Sequence, residues 1–358
     1  MKIAFLSFYS GVLPRGVETY VHELSNRLVR LGHDVTVYQC GPKFLNTRYK
    51  TVKIPNEVDW KKNSETLTGM LYLVGKVKEF TKKVLEKIDA DTNIIVPTNG
   101  RWQSVLCKSW AMKNKKKIVI PGQSGAGLDD RINLFTFPDR YIALTKHQEK
   151  WANNANPLVK TVKIPNGVDL DRFAKGGTSA LSVELPKPII LAAAALIPLK
   201  RLDLAIKAVS KLEKASLLLV GNGPEKEKLQ ALGDKLLPGR FKILSLPFSE
   251  MPKAYQAADL FTFPTIEWES FGIAMVEAMA SGLAVVATDD PIRREVVGNA
   301  GLFIDPKDTS QYVRALEKAL SSEWGSKPKK QAEKFSWDEI AKQYDKLFKE
   351  LVVSGVEP

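Results

Sequence analysis

The sequence predicts an α/β protein made of two doubly wound, Rossmann-like domains. A length of 358 residues is enough for about two domains. Apolar runs of strand length alternate with longer amphipathic stretches, and this alternation begins twice along the chain. Such a pattern indicates mostly parallel sheets covered by helices, whose ligands bind at the carboxyl ends of the strands. We therefore expect two domains that face a cleft, with a binding site between them.

The first series starts with a strand predicted at Ile3–Phe8 and a loop that contains Gly16. A helix is predicted over Glu18–Leu31, because valine and leucine recur there at spacings of three and four residues. Gly32 stands where a glycine commonly ends a helix, and a second strand follows at Asp34–Tyr38. Later strands in this series are expected at Ile94–Val96, Ile118–Ile120, Tyr141–Leu144 and Thr161–Ile164.

The second series follows a segment rich in glycine and proline, Pro165–Pro188, which is typical of a linker. Its first strand is predicted at Ile189–Leu196 and its first helix at Leu202–Leu212. The other strands are expected at Ser216–Val220, Lys242–Leu246, Leu260–Phe263, Ala284–Ala287 and Gly301–Ile304. The sequence KTVKIPNEVD at 50–59 returns as KTVKIPNGVD at 160–169, and we interpret this repeat as two strands that each end in a Pro-Asn turn.

The basic charge of the chain is concentrated in its first half. Residues 1–170 contain 27 Lys and Arg against 15 Asp and Glu, a net charge of +12, whereas the remaining residues contain 26 against 25. Dense lysine runs such as Lys113–Lys117 lack the interleaved aromatic residues of a base-stacking surface, so we expect no nucleic-acid partner. Attraction to an anionic membrane surface is the better functional interpretation of the surplus.

Other features of the sequence exclude several classes of protein. Two cysteines in a chain of this length argue against a disulfide framework and are typical of a reducing compartment. The longest apolar run, Ile189–Ile197, has nine residues, which is too short to span a membrane. The N-terminal run resembles the start of a signal peptide, but serines interrupt it, so we expect a buried first strand. Asp169-Leu170-Asp171 matches a D-x-D metal motif, but its position favours a turn at Asp169, and we predict no metal requirement and no other cofactor.

The segment Asp259–Val286 carries the most specific signal. It contains two acids, Glu269 and Glu277, separated by seven residues. A helix is predicted from about Phe271 to Ala280 with Ser270 as its N-cap, which leaves the backbone N–H groups of its first turn available to a phosphate. Because the neighbours of Glu277 in this helix are apolar or small, we expect its carboxylate to contact a polar ligand.

The run E-S-F-G-I-A-M-V-E-A-M-A-S-G, which starts at Glu269, resembles the E-x7-E signature of retaining, nucleotide-sugar-dependent glycosyltransferases with the two-Rossmann-domain (GT-B) fold, the glycosyl transferases group 1. Further motifs of that family occur in order along nearly the whole chain. They are Arg15-Gly16-Val17-Glu18, Gly32-His33-Asp34-Val35, Ile164-Pro165-Asn166-Gly167-Val168-Asp169, Lys200-Arg201-Leu202-Asp203, Gly221-Asn222-Gly223-Pro224 and Phe335-Ser336-Trp337.

The resemblance implies a role for each half of the chain. Residues 1–168 would form the acceptor domain, residues 169–335 the sugar-nucleotide domain, and residues 336–358 a terminal helix that crosses back to the first domain. Glu269 would contact the donor sugar at the reacting centre, while Lys200 and Arg201 would neutralise the departing diphosphate. The substrate-binding residues would be Gly16, Gln123, Gly221, Gly223, Ser270, Phe271, Gly272, Ile273 and Glu277, the last of them at the ribose hydroxyls.

The sequence departs from the family pattern at two places. Ala194 and Ala195 stand where the family often carries Gly-Arg, and Gln123 stands where many members have a histidine. These departures motivate one alternative, a catalytically impaired partner subunit that binds a sugar nucleotide. The retained Glu269, Glu277 and Lys200 favour the enzyme.

The sequence therefore predicts a retaining glycosyltransferase that moves a hexose from a nucleotide-diphosphate sugar to a hydroxyl of a glycan or lipid-linked acceptor. We expect it to be cytoplasmic, with a peripheral position on the inner face of the cytoplasmic membrane as the open alternative.

Overall fold

The structure, a computed structural model, describes residues 1–13, 15–44, 46–59, 66–174 and 181–353. The chain divides into two compact units, one formed by Met1–Asn166 with Trp337–Pro358 and the other by Gly167–Ser336. Each unit contains one parallel sheet flanked by helices, so the predicted fold class is confirmed. Part of the predicted linker, residues 175–180 with its paired glycines, lies outside the described residues.

The first unit is built on a seven-stranded parallel sheet with the order β3-β2-β1-β4-β5-β6-β7. In chain order its elements are β1 Lys2–Ser7, α1 Gly16–Arg30, β2 Asp34–Gln39, β3 Lys50–Lys53, α2 Leu67–Leu85, β4 Ile94–Pro97, α3 Trp102–Lys113, β5 Lys117–Pro121, α4 Leu128–Phe135, β6 Arg140–Ala143, α5 Lys146–Ala155 and β7 Thr161–Lys163. The central strands are buried apolar runs, as expected for a parallel sheet that is covered on both faces.

The second unit is built on a six-stranded parallel sheet with the order β10-β9-β8-β11-β12-β13. Its elements are α6 Leu170–Phe173, β8 Ile189–Ala193, α7 Leu202–Val209, β9 Ser216–Val220, α8 Lys226–Leu236, β10 Phe241–Leu244, α9 Met251–Ala257, β11 Leu260–Phe263, α10 Ile273–Ala280, β12 Val285–Thr288, α11 Pro291–Val297, β13 Gly301–Ile304, α12 Thr309–Ser321 and α13 Lys327–Glu333. Strand β8 ends at Ala193, three residues before the predicted end, because the backbone of Leu196 already bonds to the loop after β9.

A last helix, α14 at Trp337–Val353, packs on the first unit. Its apolar face joins the core that contains β1 and α1, with Trp337, Tyr344 and Phe348 among its buried members. Tyr20 of α1 donates a hydrogen bond to Tyr344 over 3.2 Å. His33 lies 2.8 Å from Asp345 of the same helix, and burial lowers the pKa of His33.

Both sheets reverse their strand order at the first strand, where β1 lies between β2 and β4 and β8 lies between β9 and β11. In open α/β sheets, ligands bind at such a switch point, outside the carboxyl ends of the strands. The loops that follow β8 and β11, and those that follow β1 and β4, are therefore the places in each unit where a site is expected.

Candidate active site

The second unit brings together most of the predicted site residues at its switch point. Lys200 ends a short 3-10 turn after β8, and Glu269 lies in the loop after β11, the neighbouring strand. The Lys200 Nζ atom lies 2.5 Å from Glu269 Oε2, and both side chains are largely buried. Two of the three predicted catalytic side chains are thus in direct contact, although 69 positions separate them in the sequence.

Arg201 adjoins this pair and has a carboxylate partner that the sequence analysis did not predict. Its backbone is left-handed, with φ of 49°, and its guanidinium Nη1 lies 3.3 Å from Glu267 Oε1. The Glu267 backbone N–H and the Arg201 side chain both lower the pKa of Glu267, which keeps this partner ionised. Two basic and two acidic side chains therefore line the space after β8 and β11.

The predicted start of the helix that carries Glu277 is wrong. Helix α10 begins at Ile273, with Gly272 rather than Ser270 at the N-cap position. Gly272 has a φ of 86°, a conformation that glycine adopts without strain, and a Cβ there would lie 2.7 Å from Met275 Cε. Ser270 and Phe271 consequently belong to the loop, while the N-terminal turn of α10, with its free N–H groups and positive dipole end, starts immediately after it.

Glu277 is buried, which excludes the interpretation that it is a surface charge of the helix. It lies one turn after the start of α10 and accepts a hydrogen bond from the Tyr255 hydroxyl over 2.7 Å. Tyr255 is completely buried in α9, and burial raises its pKa well above the usual value, so the hydroxyl stays protonated and donates. The sequence does not indicate Tyr255, because nothing in the sequence of α9 distinguishes this residue from an ordinary core aromatic residue.

The two glycines of the predicted turn allow neighbouring loops to pack closely. A Cβ at Gly221 would lie 1.9 Å from the carbonyl oxygen of Ala194, and one at Gly223 would lie 2.4 Å from that of Leu196. The loop after β9 therefore rests on the segment that leads from β8 to Lys200. Gly221 and Gly223 have a structural role at this end of the sheet beside any contact with a ligand.

Two predicted substrate-binding residues lie in the other unit. Gly16 is the first residue of α1, and Gln123 follows β5. The Gln123 side-chain amide exchanges two hydrogen bonds with Asn166, over 3.1 and 3.0 Å. Gly16 and Gln123 thus belong to the first unit, whereas the other predicted site residues belong to the second.

Gln123 lies in a loop that is supported by a buried polar network. Gln148 donates to the Gly122 carbonyl over 2.8 Å and to Asp130 over 3.0 Å. Asn133 donates to the same carboxylate over 2.9 Å. Burial raises the pKa of Asp130 to about 7, so its charge is sensitive to pH in the neutral range.

The first unit contains a cavity of about 260 Å³ that the sequence did not predict. It lies at the switch point of the first sheet and is lined by Tyr9, Met70, Leu73, Val74, Val77, Asn99, Gly100, Arg101 and Asp129. Helix α2 supplies an apolar wall, while Arg101 Nε donates to Asp129 over 2.6 Å on the polar side. Arg101 has a φ of 51°, which is unusual for a residue with a side chain.

Neither a metal centre nor a spanning helix is found within the described ranges. No group of three or more His, Cys, Asp or Glu side chains in them could hold a metal ion. Asp169 of the D-x-D sequence caps α6 by accepting from the Arg172 N–H over 3.1 Å, as the predicted turn requires. No helix in the same ranges is both long and apolar enough to cross a bilayer. The absence of a metal requirement stays a prediction.

Comparison with known proteins agrees with the motifs. Residues 180–337 match the family model of glycosyl transferases group 1. Phosphatidyl-myo-inositol mannosyltransferase of Mycolicibacterium smegmatis is 25% identical over an alignment that covers 100% of this chain and 96% of the relative. Sucrose-phosphate synthase from Thermosynechococcus elongatus has a similar structure, with a TM-score of 0.78 at 19% identity over 99% of both chains. HepE from Anabaena, in complex with UDP and glucose, has a TM-score of 0.77 at 19% identity over 98% of this chain and 100% of its own.

The fold, the loops at the switch point and these similarities define the chain as a glycosyltransferase with the two-Rossmann-domain (GT-B) fold. Within that class, it resembles the nucleotide-sugar-dependent glycosyl transferases group 1, whose family model matches residues 180–337.

Proposed function

We propose that the protein is a retaining hexosyltransferase that uses a nucleotide-diphosphate sugar and glycosylates a hydroxyl of a glycan or lipid-linked acceptor. The single observation that carries the proposal is the contact between Lys200 and Glu269 at the switch point of the second unit. Sugar transfer in this proposal needs a cation that binds the leaving phosphate and a carboxylate that binds the sugar, and this contact brings the two together. The relative in Mycolicibacterium is named as a mannosyltransferase, and HepE binds UDP with glucose, which supports a hexose donor.

The chemistry follows from the charges that develop in the transition state. Breaking the bond between the anomeric carbon and the phosphate oxygen puts positive charge on the sugar ring and negative charge on the diphosphate. Lys200, Arg201 and the N-terminal turn of α10 stabilise the leaving diphosphate, because they are fixed cations and dipoles in a partly buried site. Glu269 binds the donor sugar and Glu277 binds the ribose hydroxyls. The acceptor hydroxyl attacks the anomeric carbon from the face that the diphosphate leaves and passes its proton to the departing phosphate oxygen. No metal ion is required in this proposal.

We assign the acceptor to residues 1–168 and the donor to residues 169–335. The cavity beside α2 supports an amphipathic acceptor, because one wall is apolar while Arg101, Asp129 and Asn99 offer polar groups on another side. The net charge of +12 in residues 1–170 supports an anionic acceptor or membrane surface. We place the enzyme in the cytoplasm, in peripheral contact with the membrane.

The decisive experiment is a panel of UDP-, GDP- and ADP-hexoses with the purified chain. Thermal shift reports binding, and release of the nucleoside diphosphate reports turnover. Glu277→Ala should weaken nucleotide binding by about tenfold or more, because it removes a charged partner of ribose. Lys200→Ala should mainly lower turnover, because the diphosphate gains charge in the transition state. Unchanged kinetics in both variants would show that the donor site is assigned wrongly.

The same panel tests the alternative of a catalytically impaired partner subunit, which Ala194, Ala195 and Gln123 motivate. A stabilising shift without turnover toward any acceptor would favour that alternative. If no sugar nucleotide stabilises the protein, both functions are excluded.

A further inference from the structure

We propose that Arg293 is a positioning residue that holds the loop of Glu269 in the conformation needed for sugar transfer. This inference rests on the proposed function, since it concerns how that site is held. Arg293 lies in α11, which follows β12, and it is separated from Glu269 by 24 positions in the sequence. None of the sequence motifs includes it.

The Arg293 guanidinium is fully buried and binds the Glu269 loop through three carbonyl groups. Nη1 donates to the Glu269 carbonyl over 2.7 Å. Nη2 donates to the carbonyls of Ile266 and Glu267 over 3.0 and 2.7 Å. One planar group thus fixes three peptide units of a four-residue segment, which a flexible ammonium group could not do.

Asp290 fixes the guanidinium in turn. Arg293 Nε donates to Asp290 Oδ2 over 2.6 Å, and both side chains are almost inaccessible to solvent. The other oxygen of Asp290 accepts from the backbone N–H groups of Ile292 and Arg293, so it caps α11. The position of the Glu269 loop is therefore tied to the start of α11.

A second set of contacts anchors the opposite side of the loop. The Ile266 N–H and the Thr265 hydroxyl both donate to the carbonyl of Leu199, the residue before Lys200. Thr288 donates to the Thr265 carbonyl over 2.7 Å. These bonds hold the beginning of the loop, while Arg293 holds the part that ends at Glu269. Without Arg293, we expect Glu269 to move relative to Lys200 while the fold of the unit persists.

A buried guanidinium is also costly compared with a well-packed apolar side chain, because its desolvation is only partly recovered through the ion pair. The free-energy cost of burying the Arg293 guanidinium is consistent with a role in fixing one conformation of the loop that contains Glu269.

The test compares Arg293→Lys with Arg294→Lys in the otherwise intact chain. Arg294 is the matched control, because it is adjacent in the same helix but exposed and paired with Asp289. Arg293→Lys should lower kcat by up to about 100-fold, as expected when a reacting group is misplaced by about 1 Å. The affinity of the Arg293→Lys variant for the nucleoside diphosphate that the wild type binds (UDP, GDP or ADP) should differ from that of the wild type by less than about threefold. Arg294→Lys should retain kcat within about twofold.

Asp290→Asn provides a second variant in case Arg293→Lys does not fold. The asparagine oxygen can still cap α11, but the charge that orients the guanidinium is lost. A lower kcat with unchanged nucleotide affinity supports the proposal in either variant. An unchanged kcat in a folded Arg293→Lys protein, or a parallel loss of nucleotide affinity, overturns it. If wild-type protein transfers sugar while Arg293→Lys is equally active, only this inference fails; if wild-type protein transfers no sugar, the proposed function fails and takes the inference with it.

Discussion

At the scale of residues, the site depends on polar groups that are buried with specific partners. Glu277 is buried with the Tyr255 hydroxyl 2.7 Å away, and Arg293 is buried against Asp290 and three carbonyl groups. The sequence could identify Glu277, because an acid within an apolar helix needs a reason to be there. It could not identify Tyr255 or Arg293, since their partners are distant in sequence and their own surroundings look like ordinary helix sequence.

We expect Tyr255→Phe to weaken binding of the nucleoside diphosphate by about three- to tenfold, because Glu277 loses a hydrogen bond that orients its carboxylate. The ring is kept, so its packing against Phe173 and Phe261 is preserved. Titration calorimetry measures the affinity. Tyr312→Phe is the matched control, since this buried tyrosine of the same unit bonds to Thr262 instead. Equal affinities in the two variants would contradict the role of Tyr255.

At the scale of elements, periodicity located the strands well because buried parallel strands are short, continuous apolar runs. The repeated sequence at 50–59 and 160–169 illustrates this. It forms β3 and β7, the two edge strands of one sheet, and each strand runs into a buried isoleucine, Ile54 or Ile164. The interpretation as two strands is confirmed. Lysines at the ends of these strands, Lys50, Lys53 and Lys163, suit an edge, where charge discourages pairing with other chains.

Element ends were predicted less well, because tertiary contacts decide them. The start of α10 shifted from Phe271 to Ile273, since Gly272 takes a left-handed conformation that brings it against Phe263 and Met275. Periodicity carries no information about such a turn. Periodicity does not predict the cavity in the first unit either, because the cavity depends on how α2 packs over the ends of β1 and β4.

We expect Gly221→Ala to destabilise the second unit by about 1–3 kcal/mol, because its methyl group would collide with the Ala194 carbonyl. Urea unfolding of variant and wild type measures the difference in the free energy of unfolding. Gly75→Ala is the control, since no heavy atom lies within 4 Å of a Cβ at this position in α2. That variant should be neutral or more stable by up to about 1 kcal/mol. A Gly221→Ala protein as stable as wild type would contradict the close packing of the two loops.

At the scale of the whole molecule, two units of the same fold class have different charge. The second half, with a net charge near zero, carries the paired acids and bases of the proposed donor site, where a few cations at fixed positions suffice. The surplus of the first half is not needed for that chemistry. The fold class does not explain this surplus positive charge, so its role is tested by measuring how the protein binds to a membrane surface.

We expect the protein to sediment with vesicles that contain phosphatidylglycerol at low salt and to be released at about 0.5 M salt, where surface charges are screened. Vesicles of phosphatidylcholine alone should not bind it. Replacing the exposed Lys113 and Lys115 of the first unit by glutamate should weaken binding, because each lysine near an anionic surface contributes about 1 kcal/mol. The matched control replaces the exposed Lys329 and Lys330 of α13, which changes the net charge equally but in the second unit. An equal loss in both variants would assign binding to overall charge rather than to the first unit, and an absence of binding to anionic vesicles would exclude the membrane part of the proposal.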